Sequence, residues 1–510
     1  MQGKNRNVKK NLARASEKTM YIKNQNSQLK FSDFQQPIGL KMNPKNRWIK
    51  KAESIPWAEI ENRYSKLFPS MKGNPAKPLR MALGSLLIQK QYGYSDRELV
   101  EQITENPYYQ YFVGLPGYQM EAPFVPSLLV EFRKRLTEEI LMEINEMIIN
   151  YNKTDDKDGD DNQDGAKEQI APNDNSNEKK SGTLMLDATC APQHIAFPQD
   201  INLLNAARED LEEIIDTICK DNNEKKPRTY REKARKDYLD LAKSKKRSKT
   251  KIRKAIKKQL NYVKRDLGYI DTFLEKGIVL SQKDSNRLVV IRKVYEQQKT
   301  MYDEKKNSIP NRIVSLDQPY IRPIVRGKAK TPTEFGAKID MSIDENGMAR
   351  LEKMSFEAYN ESDVLIGAIQ RYFYRWNLYP ERVLVDKIYR NRKNLAFCKE
   401  HGIRLSGPAL GRPKKDSVSD IKTEYKDAVD RIEVERGFSL AKRNFGLGCI
   451  WTKLDVTTKS SIALSIVAMN LHRLTVFSFL LFIKRLFFQI VEQFSDRKAF
   501  RISIAQTNLC

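Results

Sequence analysis

The chain predicts a mixed α/β core, interrupted by a long helical insertion after its first strand and preceded by an all-α N-terminal domain. Three observations carry this. Short apolar runs bounded by polar residues, Leu184-Met185-Leu186 and Val383-Leu384-Val385, read as buried strands. Residues 55–150 show apolar residues at helical spacing. Between the two strand runs lies a charged, helical block at 203–308.

In chain order, residues 1–54 form a basic, polar arm, partly disordered, in which Met20 opens a more ordered-looking stretch and is a candidate native start. Helices follow from Trp57, from Pro78 and from Ser95. Ser95 with Glu98 three residues on is a capping box, which satisfies two orphan backbone donors reciprocally. The short Gly-containing turn Gln91-Tyr-Gly-Tyr94 joins two of these helices and reads as a helix-turn-helix, with an ordinary helical hairpin as the plainer alternative. Residues 151–182 hold almost no apolar side chains and are expected to be a disordered linker. Within it Asp160, Asn162, Asp164 and Gly165 imitate an EF-hand loop. Lys167 and Ala171 then occupy positions that need an apolar residue and a glutamate, which excludes calcium there.

A first core segment is expected at 183–202, the basic insertion at 203–308, the rest of the core at 309–450 and a helical region at 451–510. A hairpin is predicted from Gly336 to Phe356 around the turn Asp344-Glu-Asn-Gly347. A helix from Ser362 to Trp376 leads to the strand that ends in Asp386. A helix from Asn391 to His401 leads through Gly402 to a short strand at Ile403–Ser406.

Composition narrows the partners. Ninety-one Lys and Arg stand against 65 Asp and Glu, a formal charge of +26. Residues 225–258 alone carry 17 cations against Glu232, Asp237 and Asp240, or +14. Such an excess favours a polyanion, since each phosphate contact releases condensed counterions. The longest apolar windows near the C-terminus are broken by Asn470, His472 and Arg473 and fall short of the roughly 20 residues a membrane span needs. The first thirty residues have no apolar centre, so a cytoplasmic setting is expected. Five scattered cysteines, Cys190, Cys219, Cys398, Cys449 and Cys510, offer no paired spacing for zinc or a disulfide framework. His194 near Cys190 reads as a loop histidine.

Three acids remain. Asp187 and Asp386 close the two apolar runs, where packing gives no reason for a carboxylate, and Glu435 lies in a helical stretch after the last strand. If the two strands are neighbours and the helix crosses them, the carboxylates converge, and carboxylates brought together repel unless a cation lies between them. Mg²⁺ or Mn²⁺ suits such ligands, and two such ions about 3.5–4 Å apart perform phosphoryl transfer. Arg431 and Lys442 fall near the face of Glu435 at helical spacing.

With these residues in order, the chain resembles the DDE transposases of bacterial insertion sequences, whose catalytic core is RNase H-like. Asp187-Ala-Thr-Cys-Ala-Pro is similar to the first-acid motif. Asp386-Lys-Ile-Tyr-Arg-Asn-Arg-Lys-Asn394 and the stretch from Gly402 to Pro413 look like the second-acid block. Arg431-x3-Glu435-x6-Lys442 matches three positions of the Y-x2-R-x3-E-x6-K signature, with Ala428 where the tyrosine stands and Tyr425 one helical turn earlier. The helices before residue 150 look like the family's DNA-binding domain.

The resemblance implies a double-stranded DNA substrate, cut at terminal inverted repeats and joined through its 3′-hydroxyl ends to target DNA. It implies Asp187, Asp386 and Glu435 as ligands of two metal ions, with Arg431 and Lys442 on phosphate and at least two protomers in the working complex. Glu433 is the rival third acid, two residues out of register. A metal-dependent nuclease that does not join strands, or an inactivated DNA-binding product, are the alternatives.

Overall fold

The computed structural model describes residues 21, 23–24, 27–68, 75–154, 180–325, 333–407 and 421–476. Met20, the EF-hand imitation, most of the expected linker and residues 477–510 lie outside them.

Seven helices open the chain: α1 (Arg47–Glu53), α2 (Trp57–Ser65), α3 (Leu79–Tyr92), α4 (Asp96–Glu105), α5 (Pro107–Phe112), α6 (Leu128–Arg135) and α7 (Glu138–Thr154). α4 begins with the expected capping box of Ser95 and Glu98. α3 ends at Gly93, whose φ of 72° is the left-handed stop that glycine adopts without penalty. Arg80 is buried among backbone carbonyls, donating to Tyr111 O at 2.8 Å, Phe112 O at 3.1 Å and Ser27 O at 3.1 Å. Those bonds tie the described part of the basic arm onto the helices, and Phe34, Met42 and Trp48 are buried there.

The sheet follows. β1 (Thr183–Pro192) is central, β2 (Arg322–Val325), β3 (Thr333–Asp344) and β4 (Ala349–Ser355) lie on one side, and β5 (Arg382–Leu384) and β6 (Arg404–Leu405) on the other. β1 pairs antiparallel with β3 and parallel with β5, and β5 pairs parallel with β6. This mixed layout, with a helical region before it, is consistent with an RNase H-like core. Two details differ from the sequence reading. Asp187 sits in mid-strand, because β1 continues through Ala188–Pro192 by pairing with β3. An additional short strand, β2, carries Pro323 at the sheet margin, where a missing N–H is tolerated.

Between β1 and β2 run α8 (Asp200–Asp221), α9 (Arg231–Ala242), α10 (Lys249–Glu275) and α11 (Gln282–Asp303). α8, α10 and α11 share an apolar core of their own, built on Leu211, Ile214, Ile215, Ile218, Val263, Ile270 and Ile291. After β4 come α12 (Leu365–Trp376), α13 (Arg392–Glu400) and α14 (Ile421–Asn444), then α15, which is helical from residue 455 through 476. α12 and α13 cover one face of the sheet, against Leu184, Leu186, Val383 and Val385. α14 and α15 cover the other, against Met185, Leu384, Ile339, Met341 and Ile343.

The N-terminal helices join this second core directly, since Leu86, Ile144 and Ile148 belong to the same cluster as Ile343, Val434 and Ile466. Polar contacts seal the junction. Asn470 and Asn145 both donate to Ala349 O, at 2.7 and 3.1 Å, and Asn470 also accepts from Ala349 N–H at 2.9 Å. Arg350 of β4 pairs with Glu146 of α7 at 2.7 Å and with Asp344 at 2.8 Å.

Candidate functional site

Strand alternation sets the site. Met185, Asp187 and Thr189 point to the face that α14 covers, while Leu184, Leu186 and Ala188 point to the other. α14 buries Val434, Gly437, Phe438 and Ala441, a one-sided stripe at helical spacing that lies across β1, β3 and β5. Each large apolar side chain in that stripe contributes about 1.5–3 kcal/mol of burial. Gly437 permits the close approach: a methyl group there would stand 2.6 Å from Ile343 Cδ1.

Docking this stripe brings Arg431 and Lys442 onto β1. Arg431 Nη1 lies 4.0 Å from Asp187 Oδ2, and its Nη2 lies 3.6 Å from Glu435 Oε1. Lys442 Nζ donates to Thr189 Oγ1 at 2.9 Å. One guanidinium therefore stands between two of the three predicted acids. Asp386 follows β5 directly and caps a single 3-10 turn, Lys387–Tyr389, by accepting from Lys387 N–H at 2.7 Å. Asp187 accepts from Ala188 N–H at 2.8 Å.

Burial pushes the Asp187 carboxyl above its usual range. The backbone bond and Arg431 oppose the rise, while the negative charges of Glu361 and Asp386 add to it. Asp386 is thus near enough to act on Asp187 through space. Among the described residues no three Asp, Glu, His or Cys side chains stand together as a ready-made metal cluster. Asp187, Asp386 and Glu435 are neighbours of one region, held at a distance from one another.

Glu433 is turned away, paired with Arg473 of α15 at 2.9 Å and with Arg436 at 3.6 Å. Tyr425 is exposed. His194 stacks on Trp451 with ring centres 3.8 Å apart.

Beneath Asp187, on the far face of the sheet, lies a group that the sequence reading missed. Asp340 of β3 is fully buried opposite Ala188 and accepts from the hydroxyls of Tyr389, at 3.0 Å, and Tyr359. Burial pushes its carboxyl up to about 6 against the pull of those two hydroxyls. Tyr389 ends the turn that Asp386 begins, so its bond to Asp340 ties that turn across β1 to β3. Glu361 stands nearby in an ion pair with Lys338 at 2.9 Å. An Asp in an alternating strand reads as solvent-facing, and only the covering helices reveal otherwise.

The helix pair α3–α4 has the short turn expected of a helix-turn-helix, but its second helix exposes Glu98, Glu101 and Glu105 against Arg97. Such a face repels phosphate. The cations of the insertion are exposed instead: Lys233, Arg235, Lys236, Lys243, Lys245, Lys246, Arg247, Lys249, Lys251, Lys254, Lys257 and Lys258 on α9, α10 and their connection. An open groove of about 540 Å³ runs between these helices beside Arg235, Lys236, Lys243 and Lys251.

Comparison with known proteins meets this geometry at two places. The family described as transposase DDE domain matches residues 383–472, a span that holds Asp386, Arg431, Glu435 and Lys442. The family described as transposase domain (DUF772) matches residues 39–135, within α1 to α6 and their approaches. A Rhizobium meliloti protein described as uncharacterized protein ORF8 in nfe locus is 33% identical over 103 residues, 20% of this chain. That match spans 49% of the relative's own length. No solved structure matches the chain. No helix among the described residues is long and apolar enough to cross a membrane. With one transposase family over the helical region and another over the segment that bears Asp386 and Glu435, the comparisons support a DDE transposase of an insertion sequence.

Proposed function

We propose that the protein cuts DNA at the terminal inverted repeats of an insertion sequence and joins the freed 3′-hydroxyl ends to target DNA. The observation that carries this reading is the contact of one helix face with one strand: Arg431 between Asp187 and Glu435, and Lys442 on Thr189 two residues along. It supports a site in which carboxylates and a phosphate-binding cation face the same space.

Asp187, Asp386 and Glu435 would hold Mg²⁺ or Mn²⁺, by family habit two ions, and their oxygens suit a hard cation. Asp187 fits the part, because burial, with Glu361 and Asp386 adding to it, raises its proton affinity, and a divalent ion relieves a carboxylate so placed. Such ions, when bound, activate a water or 3′-hydroxyl and stabilise the leaving oxygen. Arg431 turns from its long contacts toward the scissile phosphate. Lys442 fixes α14 on β1 and adds positive potential beside that phosphate. The exposed cations of α9 and α10 grip the flanking duplex by its backbone. Pairing of two element ends calls for at least two protomers.

The test is a joining assay with labelled inverted-repeat ends and a target plasmid, in Mg²⁺. The wild-type chain yields joined product, and Asp386→Asn, an exposed substitution that spares the fold, yields neither nicking nor joining. Cleavage by that variant at the wild-type rate refutes the site. Hydrolysis without joining by the wild type refutes strand transfer.

A further inference from the structure

Where the end of α3, the end of α14 and α15 meet, a cavity of about 370 Å³ is lined by Lys90, Gln91, Arg443 and His472, with Gly93 and Gly446 at its rim. No carboxylate lines it. Lys90 Nζ donates to Ser461 Oγ at 2.7 Å, and Lys51 donates to the side-chain oxygen of Gln91 while lying 4.8 Å over the Trp48 ring. Among the described residues, none of Lys51, Lys90, Arg443 and His472 forms an ion pair. Two further cations that act on the cleft are engaged, Arg473 with Glu433 and Arg133 with Asp96.

The titrating groups register this accumulation. Burial and then the charge of Arg133 bring Lys90 down to about 7. Burial and Arg47 bring Lys51 down to about 7. Burial, Lys51 and Arg473 lower His472. Basic groups gathered in a cleft with no counterion among the described residues favour an anion, whose charge restores their protonation. The rim is kept free of side chains at two left-handed turns. Gly93 and Gly446 adopt φ of 72° and 70°, and a side chain on Gly446 would stand 3.6 Å from Lys90 Nζ.

We propose that this cleft is a phosphate seat that takes a phosphodiester of the DNA backbone, held by Lys90, Arg443 and His472. The backbone is favoured over a free anion because Arg443 follows Lys442, whose ammonium is fixed to the strand of Asp187. Neighbouring residues at the end of α14 thus reach the strand of Asp187 and the cleft, so one DNA strand would meet both. The inference rests on the proposed action on DNA.

Its test is the salt dependence of duplex binding by the full chain, with inverted-repeat DNA as probe. Arg443→Gln replaces an exposed side chain, and Lys90→Met removes the sequestered ammonium. Each is expected to lower the slope of log affinity against log salt by about 0.9, the value of one phosphate contact. Arg443→Gln leaves thermal unfolding unchanged. Wild-type slopes in Arg443→Gln, with wild-type duplex binding intact, overturn the phosphate seat and leave the proposed function standing. A wild-type chain that binds no duplex overturns both. Inorganic phosphate forms the second arm: stabilisation by it that is lost in Arg443→Gln, with the slope unchanged, overturns the backbone assignment in favour of a free anion.

Discussion

Replacing Asp340 by Asn should make the protein more stable and less active at neutral pH. The carboxyl is fully buried in β3 and pushed up to about 6 from an ordinary 3.8. A group whose proton affinity rises on folding contributes stability that is present below its unfolded value and lost as pH climbs through the folded one. Between about pH 3 and pH 7 the wild type should therefore lose about 3 kcal/mol. Asn carries no such penalty, but its single oxygen satisfies the two phenols of Tyr359 and Tyr389 less well, at about 1 kcal/mol. The variant is thus about 1 kcal/mol weaker near pH 3 and about 2 kcal/mol stronger at pH 7.5. Urea unfolding across that range reads both. Cleavage should fall at pH 7.5 in spite of the added stability, because Tyr389 carries the turn of Asp386 and its bond to Asp340 is weakened. Parallel stability curves for the two proteins would refute the reasoning, and so would unchanged cleavage.

Two further outcomes follow from contacts already described. Glu435→Gln should cut strand cleavage by about a hundredfold or more, the scale for losing one group that stabilises developing charge. Glu433→Gln should leave cleavage near wild type and cost about 1 kcal/mol through Arg473; the opposite pattern moves the third acid to Glu433. Gly336→Ala places a methyl group 2.1 Å from the carbonyl oxygen of Ala191, which is backbone and cannot step aside. It should destabilise by about 2 kcal/mol or more, and an unchanged denaturation midpoint would contradict the close approach of β1 and β3.

The parts of the fold that sequence made legible are those with strong local chemistry. The capping box at Ser95, the turn at Gly347 and the stops at Gly93 and Gly402 are set by backbone demands that few residues meet. The second half of β1 was not legible, because Thr189-Cys-Ala-Pro192 has weak strand character and becomes a strand only through its ladder with β3. β2, with a proline in four residues, was hidden for the same reason. The union of the N-terminal helices with the core was also hidden, since an amphipathic face does not say what covers it. The acidity of α4 could have been read: Glu98, Glu101 and Glu105 fall on the face that Leu99 and Ile103 leave to solvent. At the candidate site, Asp187 and Asp386 stand out in the sequence as acids at the ends of apolar runs, and spacing proposes Glu435. Asp340 and Glu361 came into view only with the sheet's far face.

Arg431 and Lys442 of α14 do unequal work, and the geometry says which does what. Lys442 makes a short bond to Thr189, a side chain inside the sheet, so it sets where the helix rests on β1. Arg431 reaches its acids at 4.0 and 3.6 Å, with Glu435 more than half exposed, and contacts of that length in solvent are worth tenths of a kcal/mol. Turning the guanidinium onto a phosphate therefore costs little, while the helix that carries it stays fixed. The same turn uncovers Asp187 and Glu435 together, so a phosphate that draws Arg431 away also releases two of the oxygen donors a metal ion would use. Phosphate binding and metal binding should then favour one another, coupled through one side chain.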